Sequence, residues 1–158
     1  MTHWNTLGAA ALLAAITTPA TAQTSPPLEL TGYVVLEKVT TDERGAHTVV
    51  RLEPGTVVPG DKLIFGTRYT NKGSTAIDRF IVSNPVPDTV SVTSDIDPDV
   101  LVSVNGGKSW ARLIELEIVN AAGERRAARP GDITHVRWEL PEIVPGETGQ
   151  LEFPVTVR

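Results

Sequence analysis

Apolar and polar residues alternate along most of the chain after residue 28. In residues 135–140 and again in residues 151–157, every second side chain is apolar. This period of two is typical of a strand with one buried face and one wet face, as in antiparallel sheets. Helical spacing is absent, so the pattern predicts an all-β domain.

Turns rich in Gly, Pro, Asn and Asp separate the alternating runs. The predicted strands lie at about 29–40, 47–53, 62–71, 76–83, 89–94, 100–104, 110–119, 132–140 and 149–158. Many short strands with such turns are typical of a sandwich or a barrel. We expect an immunoglobulin-like antiparallel β-sandwich of about seven to nine strands.

Trp138 and Pro154 add two details to this expectation. The chain has no Cys, so Trp138 is expected to fill the core where antibody domains have a disulfide. Pro154 lies in the middle of the last predicted strand. Because proline cannot donate a ladder hydrogen bond, that strand is expected at a sheet edge.

The N-terminal segment has a different character from the rest of the chain. Residues 1–22 contain no Lys, Arg, Asp or Glu, and residues 7–16 read LGAAALLAAI. This stretch is shorter than a membrane span, and an Ala-Thr-Ala sequence ends at Ala22. We expect a cleaved signal peptide at 1–22, a flexible tail at 23–28 and one domain at 29–158. An uncleaved membrane-attached helix is the alternative.

Composition excludes several classes of function. The chain has 158 residues, 14 Lys+Arg and 19 Asp+Glu, for a net charge of −5, which argues against nucleic-acid binding. The lack of Cys excludes disulfides, thiolate catalysis and Cys-ligated metals. No G-x-S-x-G motif or phosphate-binding loop occurs. We therefore expect no catalytic residues and no cofactor.

Several spaced segments resemble the DUF11 repeat family. Residues 57–65 (VVPGDKLIF) and 69–73 (YTNKG) are similar to its opening turn, strand and turn. Residues 80–88 (FIVSNPVPD) resemble its next segment, with Asn where that family usually has Asp. Residues 136–157 are similar to its closing W-x-L, P-G-E and strand. The resemblance covers about residues 54–158.

This resemblance implies an immunoglobulin-like domain of a bacterial cell-envelope or secreted protein. The family has no agreed enzymatic activity and no shared catalytic residues. The chain holds one copy of the pattern, whereas many members are tandem repeats. Residues 29–53 lie outside the match and are expected to add a two-stranded hairpin, which could pair within the domain or with a neighbour.

Residues 103–110 nearly fit the Asp-box pattern S-x-D-x-G-x-x-W, with Asn105 at the Asp position. In that motif the side chain at the Asp position caps a hairpin turn and the Trp covers it. The favoured interpretation is a structural turn. The alternative is that Trp110 is exposed and stacks on a sugar.

Asp95, Asp97 and Asp99 form an acidic run with Asp88 nearby. Alternate carboxylates in a loop can supply ligands to Ca²⁺. The spacing nevertheless departs from the calcium loop D-x-D-x-D-G-x5-E, so a solvated loop is the favoured interpretation and a Ca²⁺ site the alternative.

Two other groups of residues are interpreted as solvated surface. His47 and His135 belong to no ligand motif. Arg125, Arg126 and Arg129 form the one basic cluster, which could otherwise meet an acidic partner. Three arginines fall short of a lipid-binding cluster.

The sequence thus favours an exported, non-catalytic module, periplasmic or extracellular, without a membrane span after cleavage. Its expected action is contact with a protein partner or self-assembly, in a structural, adhesion or assembly role. The alternative is a small-ligand module that binds a glycan through Trp110 or Ca²⁺ through the aspartates. An enzyme would need a deep pocket with titratable groups.

Overall fold

Two antiparallel sheets make up most of the structure, a computed structural model that describes residues 27–158. The strands are β1 (Leu28–Thr41), β2 (His47–Leu52), β3 (Lys62–Asn71), β4 (Ile77–Pro85), β5 (Val90–Val92), β6 (Leu101–Ser103), β7 (Ala111–Arg112), β8 (Glu117–Val119), β9 (Arg125–Ala127), β10 (His135–Ile143) and β11 (Thr148–Val157). Single-turn 3-10 helices lie at Leu113–Glu115 and Pro130–Asp132.

The strand order is β2-β1-β3-β11-β5 in the larger sheet and β4-β10-β6-β7 in the smaller one. A separate ribbon pairs β8 with β9. The predicted all-β class and the antiparallel pairing are confirmed. The signal peptide predicted at 1–22 lies outside the described residues.

The main core lies between the two sheets. Val136 of β10 and Phe153 of β11 are at most 1% exposed and belong to one apolar cluster. Trp138 of β10 packs against this cluster and against a second one around Tyr69. Its ring centroid lies 6.0 Å from that of Phe153. Trp138 is only half-buried, but it joins the two clusters, in line with its predicted core role.

The N-terminal hairpin belongs to the domain itself. β1 pairs with β3 from Leu28 to Glu37 and with β2 from Leu36 to Thr41. Because Leu28 is part of β1, the tail predicted at 23–28 extends no further than Pro27, and residues 23–26 are outside the described part. β1 and β2 continue past β3 as a ribbon tip (residues 38–49).

The prediction that the last strand lies at a sheet edge is wrong. β11 lies between β3 and β5, and Pro154 stands opposite Ile64 of β3. The carbonyl of Pro154 accepts a hydrogen bond of 3.1 Å from the N–H of Thr93, just past the end of β5. In extended backbone the N–H and C=O of one residue point to the same side. The N–H that Pro154 lacks would therefore point away from β3, so the hydrogen-bond ladder between β11 and β3 loses no bond.

The strand predicted at 110–119 is also wrong, because a 3-10 helix interrupts it. Glu115 accepts bonds from the backbone N–H of Arg112 at 3.2 Å and from its guanidinium at 2.5 Å. This contact closes a turn of three residues and leaves Ile114 88% exposed. The chain then pairs β8 with β9, a strand that the alternation does not predict.

Strand β4 contains a local reversal of its faces. Arg79 has a φ of 50°, a left-handed conformation that costs a residue with a Cβ about 1–2 kcal/mol. Ile77 and Phe80 pack on the same apolar cluster although they are three residues apart. The register with β10 pairs Phe80 with Leu140 and Asp78 with Glu142 but skips Arg79 and Pro141, which cannot donate. Because of Arg79, the inward-facing positions of β4 move by one residue between Ile77 and Phe80.

Replacement of Phe153 by Ala tests the core. We expect Phe153→Ala to lower the free energy of unfolding by about 3–5 kcal/mol, because it removes the ring that Phe65 and Trp138 contact. Ile114→Ala is the control, with an expected change within about 0.5 kcal/mol. Urea unfolding measures both, and equal losses would contradict this placement of the core.

Candidate functional site

The Asp-box-like segment is a closed, hydrogen-bonded turn. The Oδ1 atom of Asn105 accepts bonds from the N–H of Ser109 at 3.0 Å and from the hydroxyl of Ser103 at 2.9 Å. The Oγ atom of Ser103 accepts from the N–H of Gly107 at 2.9 Å. The indole N–H of Trp110 donates to the carbonyl of Gly107 at 3.0 Å. Asn105 therefore caps the turn and Trp110 covers it, as the motif predicts.

The ring of Trp110 is itself covered by a cation. The Cζ atom of Arg137 lies 3.7 Å from the ring centroid, and Arg137 Nε donates to Ser83 Oγ at 3.1 Å. The ring of His135 meets Trp110 edge-on, with centroids 6.1 Å apart. A sugar that stacked on the covered face of Trp110 would have to displace Arg137 and lose a cation–π contact.

The three aspartates of the acidic run do not come together around one point. Asp95 pairs with Lys62 Nζ at 2.7 Å and accepts a bond from the Thr93 hydroxyl. The bond from Lys62 holds the pKa of Asp95 below its usual range. Asp97 Oδ1 accepts from the N–H of Asp99 at 2.9 Å. Within residues 27–158 no three His, Asp or Glu side chains are grouped so as to hold a metal ion.

An ion-pair network crosses the outer face of the larger sheet. Arg51 of β2 bonds to Glu37 of β1 at 3.2 Å and to Glu152 of β11 at 3.0 Å. Since β1 and β3 lie between β2 and β11, the bridge to Glu152 passes over these two strands. Ile64 of β3 also lies on this face, between Val35 and Pro154 in the register, and is buried.

Tyr33 extends this network toward the middle of the sheet. Its hydroxyl donates to Glu152 at 2.5 Å. Burial and that hydrogen bond raise the pKa of Tyr33 to about 12, so the phenol stays protonated at neutral pH. The ring lies over Gly66, where an added Cβ would fall 2.6 Å from two ring carbons. Only glycine leaves room for this ring position.

A groove runs beside β10 where its partner strand ends. β6 pairs with β10 only at residues 135–137, and residues 138–142 of β10 pair only with β4 within the described chain. The open edge lines a groove of about 370 Å³, bounded by residues 97–101. We call this the β10 groove (Asp97, Asp99, Leu101, Trp138, Glu139 and Leu140).

A second concavity adjoins the β10 groove. It has a volume of about 510 Å³ and shares Asp97, Asp99 and Val100 with the groove. We call it the Ile114 hollow, after the exposed residue at its wall; Ile96 and Leu113 also line it. The acidic run therefore forms the ridge between two concave surfaces, which sequence reasoning did not find.

Two members of the basic cluster are paired within the chain. Arg126 holds Asp132 through two bonds of 2.7 and 2.8 Å. The bond from Arg126 lowers the pKa of Asp132 to about 2. Arg125 bonds to Glu117 at 3.3 Å across the β8–β9 ribbon. These pairs stabilise the ribbon and the 3-10 helix at Pro130–Asp132.

The two histidines have separate local contacts. His47 Nδ1 lies 3.0 Å from the hydroxyl of Thr41 across the β1–β2 hairpin. His135 Nδ1 lies 3.1 Å from the hydroxyl of Thr134. His47 is exposed, whereas His135 is half-buried beside Trp110.

Comparisons with protein-family models, curated proteins and solved structures found no match. Residues 27–158 include no helix with the length and apolarity that a membrane crossing requires.

The turn capped by Asn105 can be tested by two substitutions. We expect Asn105→Ala to lower the free energy of unfolding by about 1–2 kcal/mol, because it removes the acceptor for Ser109 and Ser103. Asn105→Asp keeps that acceptor and should lose less than half as much. Urea unfolding followed by Trp fluorescence measures both, and equal losses would contradict the capping role.

The ion pair of Asp132 gives stability a defined pH dependence. Since the pKa of Asp132 in the folded chain is about 2, below its usual 3.8, the ionised form stabilises the fold above about pH 4. This contribution disappears as the pH falls through about 2. Asp132→Asn should therefore cost about 1–2 kcal/mol at pH 7 and almost nothing near pH 2.

Urea unfolding across that pH range measures the effect. Asp88→Asn, at an exposed position, is the control and should change stability little at any pH. A cost for Asp132→Asn that does not vary with pH would show that the ion pair is not its source.

Proposed function

We propose that this chain is an exported, non-catalytic immunoglobulin-like module of the bacterial cell envelope or secretome that acts by protein–protein contact. Its role would be structural, adhesive or in assembly, in the periplasm or outside the cell. The signal peptide predicted at residues 1–22 and the resemblance to the DUF11 family motivate this location.

The immunoglobulin-like assignment is supported by the way the strands are connected. The chain passes from one sheet to the other between β3 and β4, β4 and β5, β5 and β6, and β10 and β11. Such crossings between two antiparallel sheets are typical of Greek-key sandwiches.

The observation that carries the proposed contact role is the open backbone at the strand edges. β2 and β4 are edge strands, and residues 138–142 of β10 are also open on one side within the described chain. Unpaired N–H and C=O groups of this kind can pair with a strand of another protein. The ribbon tip adds Val39 and Val49, which face each other and are 67% and 58% exposed.

A non-catalytic role is supported by where the shifted titratable groups lie. Tyr33 and Asp132 have the largest pKa shifts that are resolved, and each is held by an oppositely charged or hydrogen-bonding neighbour in the structure. Tyr33 lies on the outer face of the larger sheet, and Asp132 lies beside the ribbon. Catalytic groups usually share one enclosed pocket.

Protein contact is also favoured over the binding of a glycan or Ca²⁺. Arg137 covers one face of Trp110, which weakens the case for sugar stacking there. Asp95 is paired with Lys62, and Asp97 caps a turn. Within residues 27–158, no specific contact favours the small-ligand alternative.

The native mass of the protein in unlysed source cells tests this proposal. We expect crosslinking before lysis to place the mature chain in a species well above the roughly 15 kDa of a monomer. A free monomer under these conditions would contradict the contact role. The screening of glycans and Ca²⁺ would then come first.

A further inference from the structure

We infer that the β10 groove and the Ile114 hollow together receive an extended, basic segment of a partner protein, added as a strand to β10. This inference rests on the proposed contact role and names its surface and the chemistry of its partner. Three properties of the surface carry it: the open edge, the charge and the apolar wall.

The open edge offers backbone partners along residues 138–142. At about 3.3 Å for each residue, five residues extend roughly 16 Å. β6 is antiparallel to β10 and pairs with it as far as Leu101 opposite Arg137. A segment that continued this line would run antiparallel to β10 and end beside Leu101. Its carboxyl end would then lie next to the ridge formed by residues 97–100.

The charge of the β10 groove is negative. Asp97, Asp99 and Glu139 line it, and within residues 27–158 none of the three forms a salt bridge. Among residues 27–158, Arg137 is the one cation on the wall of the β10 groove, and it is stacked on Trp110 and bonded to Ser83. Arg112 lines the adjoining Ile114 hollow and is paired with Glu115 at 2.5 Å. Complementarity of charge therefore selects lysine or arginine in the partner. The net charge of −5 would attract such a segment from a distance.

The Ile114 hollow supplies an apolar anchor site beside the charged groove. Ile114 is 88% exposed because the 3-10 helix directs it away from the core. With Leu113 and Ile96 it lines a space of about 510 Å³. Apolar side chains that fill such concave sites usually contribute most of the binding energy of a peptide. The preferred segment thus combines basic residues with an aliphatic or aromatic anchor.

Two other open edges, β4 and the ribbon tip, fit an added strand less well. In β4 the left-handed Arg79 interrupts the extended backbone that a new strand would follow. The ribbon tip is exposed on both faces, with all of residues 38–49 exposed. The β10 groove combines an open edge with charge and an apolar wall.

A titration of the mature, isotope-labelled protein with a synthetic peptide tests the inference. The probe is an alternating lysine–leucine peptide of about ten residues, and the control replaces every lysine by glutamate. We expect NMR shift changes confined to residues 96–101, 112–114 and 137–142 with the lysine probe alone. Changes centred on β4 or the ribbon tip, or equal binding of the glutamate peptide, would overturn the inference.

Matched charge variants separate the groove from the overall charge. Asp99→Lys combined with Glu139→Lys should weaken binding of the lysine probe by at least about tenfold. Glu43→Lys combined with Glu53→Lys changes the net charge equally at exposed positions away from the groove, and should alter the dissociation constant less than about twofold. Equal effects of both pairs would contradict a specific site.

Photo-crosslinking in source cells distinguishes this inference from the proposed function. A photoreactive side chain is placed at Pro98, an exposed ridge position that leaves the three carboxylates in place, in one variant and at Glu43 in another. We expect a protein adduct at position 98. An adduct only at position 43 would overturn the inference and leave the contact role standing, and no adduct at either position would contradict both.

Discussion

Burial of Phe153 between the two sheets is the contact on which the other features depend. Its ring meets Phe65 of the same sheet and Trp138 of the opposite sheet, with centroids 5.7 and 6.0 Å apart. This contact places β10 against β11 and so sets the relation between the sheets. Because protein interiors are close-packed, the strands on either side can shift little once these rings are in place.

The position of β10 in turn determines where the protein exposes backbone. β10 is nine residues long, but β6 covers only three of them on one side. The chain before Leu101 turns away from the sheet to form the acidic ridge at residues 97–100. The short β6 thus creates both the open edge and one wall of the groove beside it, and the exposed Ile114 extends that wall.

Local features of the fold could be predicted from the sequence. The long strands β1, β3 and β11 follow the period of two, and their ends lie within about two residues of the predicted bounds. The turn at residues 103–110 was predictable as well, since the bonds that the side chains of Ser103, Asn105 and Trp110 make within it join residues at most four apart.

Features that depend on distant partners could not be predicted. Arg51 and Glu152 are 101 residues apart in sequence and meet only through the register of four strands. Pro154 can lie inside the sheet only because β5 ends near it. The 3-10 helix that contains Ile114 depends on the contact between Arg112 and Glu115, which leaves no periodic signal in the sequence. The β10 groove depends on how β6 pairs with β10. The sequence predicts β6 at residues 100–104, one residue longer at each end than in the structure, but it does not predict which part of β10 that strand pairs with.

Residue-level amide hydrogen exchange tests whether residues 138–142 of β10 are open on one side. Amides of this segment that point to β4 should be protected, and those that point into the groove should exchange quickly. Amides of β3, which has a partner on both sides over Lys62–Thr70, should be protected throughout. Uniform protection of Trp138, Glu139, Leu140 and Glu142 would contradict the open edge and with it the account of this surface.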